Sequence, residues 1–562
     1  MKHPDSSPPK NMAVHEVRET SRNRIPFHRS ILSLTLLSLM LTWAYMAIIS
    51  RTDPWYRNTD MNIHNIADAL SINEGTSPNL IDQPAVTLKT LLALEYQFAH
   101  SIGQLRVWNL HTLEICESPL KELAQLVRTG RVFSRILVII FILTASYLIY
   151  VVTRSFEMAC LNTILLSASA GLLFHGMLMR PELLCAWFGN ILAVIFVWKA
   201  VSHPSGLMKN TLLWLSGICC GLATLGKIPG ICYLGVVISW CMIAPILDGK
   251  QKQKHPSQIS FWIILFPLLT GLSNLFLLSH LTVIYNDLSP IVLTRLRAAA
   301  VIVSIAPILL YIPVQNRLLA FLIQRFKEIT ILASGTLSVI PLTYVFLRYF
   351  VMKTGAAEYI VGTIHFVMNP SPQIASIIRP ESAMLEECLN FFYETPLLII
   401  TTIGFVILVC ALRGISNQSK AAAVIMILTG LGMALVMSRR SFTDQYSILI
   451  EVPLILALSI SIHAFSKWWR QRHPSPKQHW GAPIAFTTAF ILVLSVYLRL
   501  EPKYSNYEDD RDLPVREFTV TFIYDHDAHS EAYRNVMKYH YTTRTEFMNA
   551  LNLYLAEPRN RY

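Results

Sequence analysis

TLLWLSGICCGLATLGKIPGICYLGVVISWCMIAPIL, residues 211–247, decides the fold. It carries one charge, Lys227, between two apolar runs. A membrane crossing takes about 20 apolar residues, so 211–247 is too long for a single span. Read as two short spans, 211–226 and 229–247, it turns sharply at Lys227-Ile228-Pro229-Gly230 and leaves the lysine at one membrane surface.

The rest of the chain extends that reading. Further apolar runs lie at 31–50, 133–153, 157–177, 183–201, 259–280, 298–316, 329–350, 396–412, 421–437, 446–465 and 481–499. The expected fold is an all-α polytopic membrane protein of about thirteen transmembrane helices. The composition agrees: 53% of the 562 residues are hydrophobic and 15% charged, against about 25% charged in soluble domains. The net charge of +12 does not point to nucleic acid, because Lys and Arg fall in short segments between apolar runs. That is the pattern of topology signals. With the basic tail 1–30 in the cytoplasm and 31–50 as a retained signal anchor, nearly every basic connection falls inside, and the C-terminus falls outside.

Three outer segments exceed simple turns: 51–132, 351–395 and 501–562. In the first, Asp60–Ile72 and Thr87–Gly103 have helical spacing, and LKTLLALEYQFA, residues 88–99, reads as an interfacial helix. In the last, REFTVTFIY (516–524) reads as a strand and HSEAYRNVMKYH (529–540) as a helix, together a small appended outer segment. Cys219 and Cys220 read as core residues, and Cys116 and Cys388 as the two outer cysteines able to pair. DHDAH (525–529) brings His526 and His529 near two aspartates, a pattern that suits solvated loop residues better than a metal site.

The candidate chemistry lies at outer junctions, where Lys and Arg should be scarce. FHGMLMRPELL holds His175, Arg180 and Glu182, and GLATLGKIPG holds Lys227. VMSRRSFTDQYSILIEVP holds Arg439, Arg440, Gln445 and Tyr446. Cations at such points either snorkel to headgroups or hold an anion, for which a lipid phosphate is the natural partner. On the same side, NTDMNIHNIADAL holds Asp60 and IDQPAV holds Asp82 and Gln83. Asp60 reads as a helix cap or as a base held at the membrane boundary.

In this order the pieces resemble the GT-C superfamily of integral-membrane glycosyltransferases, and within it the protein O-mannosyltransferases and the lipid A aminoarabinose transferases. The likeness covers about residues 30–500. It rests most on GLATLGKIPG, which is similar to that group's G-L-A-x-L-x-K-x-P-G turn. Two positions depart from the pattern: Met61 stands where a second acid is common, and Gln83 where Lys or His is common. The resemblance implies transfer of a sugar, with inversion, from a polyprenyl-phosphate donor to an acceptor hydroxyl on the outer face of the membrane. It implies Asp60 as the base. Arg180, Glu182, Lys227, Arg439, Arg440, Gln445, Tyr446, Asp82 and Gln83 would hold the donor's phosphate and sugar. No metal or other cofactor is expected, and the inner membrane of a bacterium is the expected location. A transporter of lipid-linked sugars is the alternative. It predicts ionisable groups at mid-membrane and paired broken helices, whereas the charges cluster at the outer edge. A polysaccharide polymerase or ligase would carry one larger late outer loop than 351–395.

Overall fold

The computed structural model describes residues 30–50, 54–56, 59–78, 85–202, 206–247, 262–284, 317–352, 354–368, 396–438, 446–473, 515–525 and 531–557, with isolated positions between 294 and 302 and at Asn560. Among the described residues the regular structure is helical and there is no strand.

The helices run in order as α1 (Ser30–Ser50), α2 (Thr59–Glu74), α3 (Val86–Ser101), α4 (Leu110–Glu114), α5 (Pro119–Thr153), α6 (Phe156–Ser167) and α7 (Ala170–His175). Next come α8 (Pro181–Val201), α9 (Leu207–Gly226), α10 (Cys232–Leu247), α11 (Trp262–Ile284), α12 (Arg317–Phe346), α13 (Ala356–Met368), α14 (Pro396–Ala411), α15 (Asn417–Ser438) and α16 (Ser447–Arg472). The chain closes with α17 (Val515–Val520), α18 (Glu531–His540) and α19 (Arg544–Ala556). Among the described residues, six helical stretches are long and apolar enough to cross a membrane, α1, α5, α8, α15 and α16 among them. The expected spans 298–316, for most of its length, and 481–499 lie outside the described residues.

Lipid offers helices little hydrophobic reason to associate, so close approach and polar contacts hold the bundle. Helices α9 and α12 meet at Gly217 and Gly335. A Cβ on Gly217 would lie 2.1 Å from the Leu332 carbonyl oxygen, and one on Gly335 2.1 Å from that of Trp214. Elsewhere Ser146 of α5 and Thr163 of α6 share a hydrogen bond of 2.7 Å, and Ser459 of α16 donates to Asn162 Oδ1 at 2.9 Å.

Three sequence expectations change. The 157–177 run is two helices, because α6 stops at Ser167 and Ser169 caps α7, accepting from Leu172 N at 3.2 Å. The boundary expected at 132 lies inside a helix, since α5 runs unbroken for 35 residues from Pro119 in the outer loop to Thr153. The strand expected at 516–524 is helical, as α17 followed by a π-turn at Thr521–Asp525. A lone strand would leave its backbone groups unpaired. The helical form instead buries Val520, Ile523 and Tyr524, and the Tyr524 ring stacks on Phe547 at 5.8 Å.

The described residues of the C-terminal segment, 515–525, 531–557 and Asn560, pack on the segment between α1 and α5. Trp55 is fully buried and donates from Nε1 to the Asn560 carbonyl at 3.1 Å. Thr519 donates to the Tyr56 carbonyl at 3.1 Å, and His540 Nε2 donates to the Leu113 carbonyl at 2.8 Å. The helix expected at the membrane interface, α3, turns its apolar face to protein, burying Val86, Leu88, Leu92, Ala93, Tyr96 and Ala99. Lys89 of α3 meets Asp68 of α2 at 2.7 Å, both side chains shut from solvent.

Glu95 of α3 supplies a pH test. Burial pushes its carboxyl up to about 7, above the ordinary value of about 4.3. The folded protein therefore holds this proton more tightly than the unfolded chain does. The resulting stability is complete below about pH 4 and is lost as pH rises through 7. Thermal unfolding in nanodiscs should show wild type less stable at pH 8 than at pH 5, and Glu95→Gln should remove that part of the difference.

Candidate functional site

The site forms where α7, α8, α9 and α16 end at one face of the bundle. Each end has a local cause. Pro181 sits in the first turn of α8, where its missing N–H costs nothing, and Glu182 follows it at the positive end of the helix dipole. Helix α9 ends at Gly226, and Lys227 takes an extended conformation, φ −155° and ψ 134°, before a single 3-10 turn containing Pro229. The turn read from GLATLGKIPG is therefore present, with Lys227 at its apex.

Lys227 does not point to solvent. Its ammonium donates to Glu182 Oε1, and the two residues are 3% and 0% exposed. The same ammonium lies over the Tyr446 ring, 4.9 Å from its centre, which ties the start of α16 to the pair. His175 closes the other side. Its Nδ1 sits 2.6 Å from the Gly171 carbonyl; a carbonyl only accepts, so Nδ1 carries the proton. Nε2 then faces Glu182 Oε2 at 3.9 Å.

Arg180 is 6% exposed, its guanidinium 5.6 Å from the centre of the Phe174 ring. Its Nε finds no hydrogen-bond partner among the described residues, and neither does Glu182 Oε2. Arg180 and Lys227 both act on the carboxylate of Glu182, so two buried cations share one acid at this point, an arrangement suited to an anion.

Three supporting residues escaped the sequence reading. Glu451, one turn into α16, accepts from Ser169 Oγ at 2.6 Å and from Gly171 N at 3.2 Å. Asn65 donates to the Met179 carbonyl at 2.7 Å, and Asn62 Oδ1 accepts from Met179 N at 3.1 Å. Both asparagines belong to α2, and Met179 directly precedes Arg180. The opening turns of α2 are thereby fastened to the Arg180 strand of the site. Asp60 is the second residue of α2. Helix α2 begins at Thr59, so Thr59 and Asp60 are its first two residues and not caps ahead of it. The side chain of Asp60 lies outside the described set, as do Asp82, Gln83, Arg439, Arg440, Gln445, Cys388, His526 and His529. The structure thus brings together His175, Arg180, Glu182, Lys227 and Tyr446 from the sequence candidates.

With this geometry in place, comparison with known proteins is informative. Residues 124–289 match the family of dolichyl-phosphate-mannose-protein mannosyltransferases. That stretch contains His175, Arg180, Glu182 and Lys227. The GT-C resemblance read from the motifs is thereby met by an independent match. Among solved structures, the chain is similar to the archaeal oligosaccharyltransferase AglB from Archaeoglobus fulgidus in complex with an inhibitory peptide and a dolichol-phosphate. That likeness has a TM-score of 0.46 and 11% identity over 90% of this chain and 59% of that one. The oligosaccharyltransferase of the same organism in its apo form gives a TM-score of 0.45 at the same identity and coverage. ArnT from Cupriavidus metallidurans in the apo state gives 0.23 and 11% identity, over 90% of this chain and 92% of that one. This chain spans about 59% of the length of the archaeal oligosaccharyltransferase chains. No curated protein matches it.

The α7–α16 junction can be tested directly. A Cβ on Gly171 would come within 2.5 Å of Ile448 N and of Ser447 Oγ. Gly171→Val must push α7 off α16, at a cost of at least about 1–3 kcal/mol, and break the Glu451 contacts. A lower unfolding temperature in nanodiscs is expected. Gly171→Ala should fall between Val and wild type.

Proposed function

We propose that the chain transfers a sugar from a polyprenyl-phosphate carrier to an acceptor hydroxyl at the outer membrane boundary, inverting the anomeric centre. The observation that supports this most is the buried cluster of Arg180, Lys227, Glu182 and His175, in which two cations share one carboxylate, inside the segment that matches the mannosyltransferase family.

In this reaction the acceptor oxygen attacks the anomeric carbon. The bond from that carbon to the phosphate oxygen breaks, and the electron pair leaves with the lipid phosphate. Negative charge grows on the phosphate in the transition state, where a placed cation acts more strongly than on the ground state. Arg180 is the phosphate anchor in this reading, because Lys227 is already matched by Glu182. Lys227 holds the site in shape through Glu182 and Tyr446, and lends its charge at longer range. Arg439, Arg440 and Gln445, next to Tyr446 in sequence, are assigned to the donor's phosphate and sugar, and Asp82 and Gln83 to the same substrate from the segment before α3.

The acceptor's proton goes to Asp60, whose carboxylate serves as general base. Its position early in α2 suits that role, since α2 is fastened beside Arg180 by Asn62 and Asn65. The base and the phosphate anchor are then held by one short set of contacts, and positioning of that kind can contribute as much as the base itself. The acceptor belongs to the class of hydroxyl-bearing glycans, lipids or proteins, and the expected setting is the inner membrane of a bacterium.

The test is turnover in nanodiscs supplied with polyprenyl-phosphate sugars and candidate acceptors, read as release of free polyprenyl phosphate. Asp60→Asn should bind donor as wild type does and release it about 100-fold or more slowly, the usual worth of a general base. Near wild-type release would remove Asp60 from the role. Arg180→Ala should raise the donor's dissociation constant tenfold or more, equivalent to about 1.4 kcal/mol. Unchanged donor binding would remove the anchor.

A further inference from the structure

Among the described residues, a charged depression lies at the opposite end of α16 from the Lys227 site. Helix α16 rises about 1.5 Å per residue, which puts Lys467 about 30 Å from Tyr446, roughly the thickness of the membrane's hydrocarbon core. There the end of α5, the start of α6 and the end of α16 border an open cavity of about 520 Å³. Arg154, Glu157, His463, Lys467 and Arg470 line it, with Thr153, Ser155 and Gln471 among the remaining wall residues.

The lining is strongly biased toward positive charge. Arg154, Lys467 and Arg470 face a single carboxylate, Glu157, which sits in the first turn of α6, where the helix dipole already favours an acid. Neither Arg154 nor Lys467 is ion-paired among the described residues. Arg470 reaches only Ser466, at 3.1 Å to the hydroxyl and 3.4 Å to the carbonyl. The N-terminus of α6 adds partial positive charge at the cavity wall. Arg154 enters the wall in the left-handed backbone conformation, φ 56°, as the residue that ends α5.

Basic residues at this face are expected as topology signals, and a topology signal needs only to be near the headgroups. It needs no walls. Here three cations from two separate stretches of chain surround one concavity that also offers hydroxyl, amide and imidazole groups. We propose that this cavity binds a phosphate group, at the membrane face opposite the Lys227–Glu182 site. The shared chemistry is an anionic phosphate ester or free phosphate, taken by charge-assisted hydrogen bonds from the two arginines and the lysine. The two sources are the headgroup of an anionic phospholipid and a soluble phosphate. The inference is independent of the proposed transferase activity.

The experiment compares thermal unfolding of the full chain in nanodiscs of phosphatidylcholine alone, of phosphatidylcholine with phosphatidylglycerol, and of phosphatidylcholine with added inorganic phosphate. Wild type should unfold at a higher temperature in one or both of the anionic conditions. A gain with phosphatidylglycerol alone identifies the headgroup, and a gain with inorganic phosphate identifies a soluble ligand. Lys467→Gln with Arg470→Gln should abolish the gain. Arg413→Gln with Arg472→Gln removes the same charge from the same end, from residues that do not line the cavity, and should keep it. Equal loss in both double variants would reduce the effect to general surface charge and overturn the proposal. So would no gain in wild type, or an undiminished gain in Lys467→Gln/Arg470→Gln. Should that variant fail to match wild-type stability in phosphatidylcholine alone, Arg154→Gln gives the same reading from the other stretch of chain.

Discussion

The contact on which the site depends is the ion pair of Lys227 with Glu182, both shut away from solvent. Removing two charges from water is expensive, and Coulombic attraction offsets it only when geometry is good and the remaining polar atoms are satisfied. That constraint propagates. Lys227 must stand at the apex of a tight turn, so α9 has to end at Gly226. Glu182 must sit in the first turn of α8, so Pro181 opens that helix. The Tyr446 ring beneath the ammonium brings in the start of α16, and Glu451, one turn further on, seizes the start of α7 through Ser169 and Gly171. One ion pair thereby sets the relative height of four helix ends.

Other buried pairs in the molecule show what a purely structural pair looks like. Lys209 meets Glu328 at 2.6 Å, and Arg325 bonds the other oxygen of that carboxylate. Lys89 and Asp68 meet across α2 and α3. The first brings α9 and α12 together and the second brings α2 and α3 together. The Lys227 cluster differs in its makeup: two cations, Arg180 and Lys227, and an imidazole gather around the one carboxylate of Glu182. Unmatched atoms are not peculiar to it, since Asp68 Oδ1 joins Arg180 Nε and Glu182 Oε2 in finding no hydrogen-bond partner among the described residues.

Much of this was legible in the sequence where the signal is local. Apolar runs announced the helices, and the glycine and proline around Lys227 announced a turn with a cation in it. His175, Arg180 and Glu182 fall within eight residues, so a short motif revealed them as a group. What stayed hidden involves partners far apart in the chain. Glu451 meets Gly171 across 280 positions, and Asn65 meets Met179 across 114. Neither glutamate nor asparagine carries any local mark of its role. The strand expected in REFTVTFIY shows the opposite failure. Its β-branched and aromatic residues suit a strand locally, but that preference is weak and context overrides it. The available partners were the helical faces of α19 and the first outer loop. The covering of α3 stayed hidden for a related reason. An apolar helical face says that something covers it, and cannot say that α2 and α5 take most of it while Phe98 and Ile102 stay exposed.

The position of α2 follows from the same long-range contacts, and it bears on why carboxylates crowd the segment after the first span. Helix α2 is short, and nearly all its side chains from Asn62 to Ile72 are buried. It is pinned at one end to Met179 by two asparagines and further along to α3 by a buried ion pair. Asn73, beyond that pair, donates to the Ala93 and Trp108 carbonyls at 3.0 and 2.8 Å. Below the opening turn, Trp55 is locked under the C-terminal helices. Such a helix cannot slide without breaking several buried hydrogen bonds, each costly to leave unmade. Helix α2 is thus firmly held, with its opening turns fixed beside Met179 and Arg180. In the proposed transfer, a base for the acceptor hydroxyl and a cation for the departing phosphate act on opposite sides of one carbon atom. Their separation has to be set by the protein before the substrate arrives, and for Asp60 and Arg180 in those proposed roles the Asn62–Met179–Asn65 clasp is the contact through which this fold would set it.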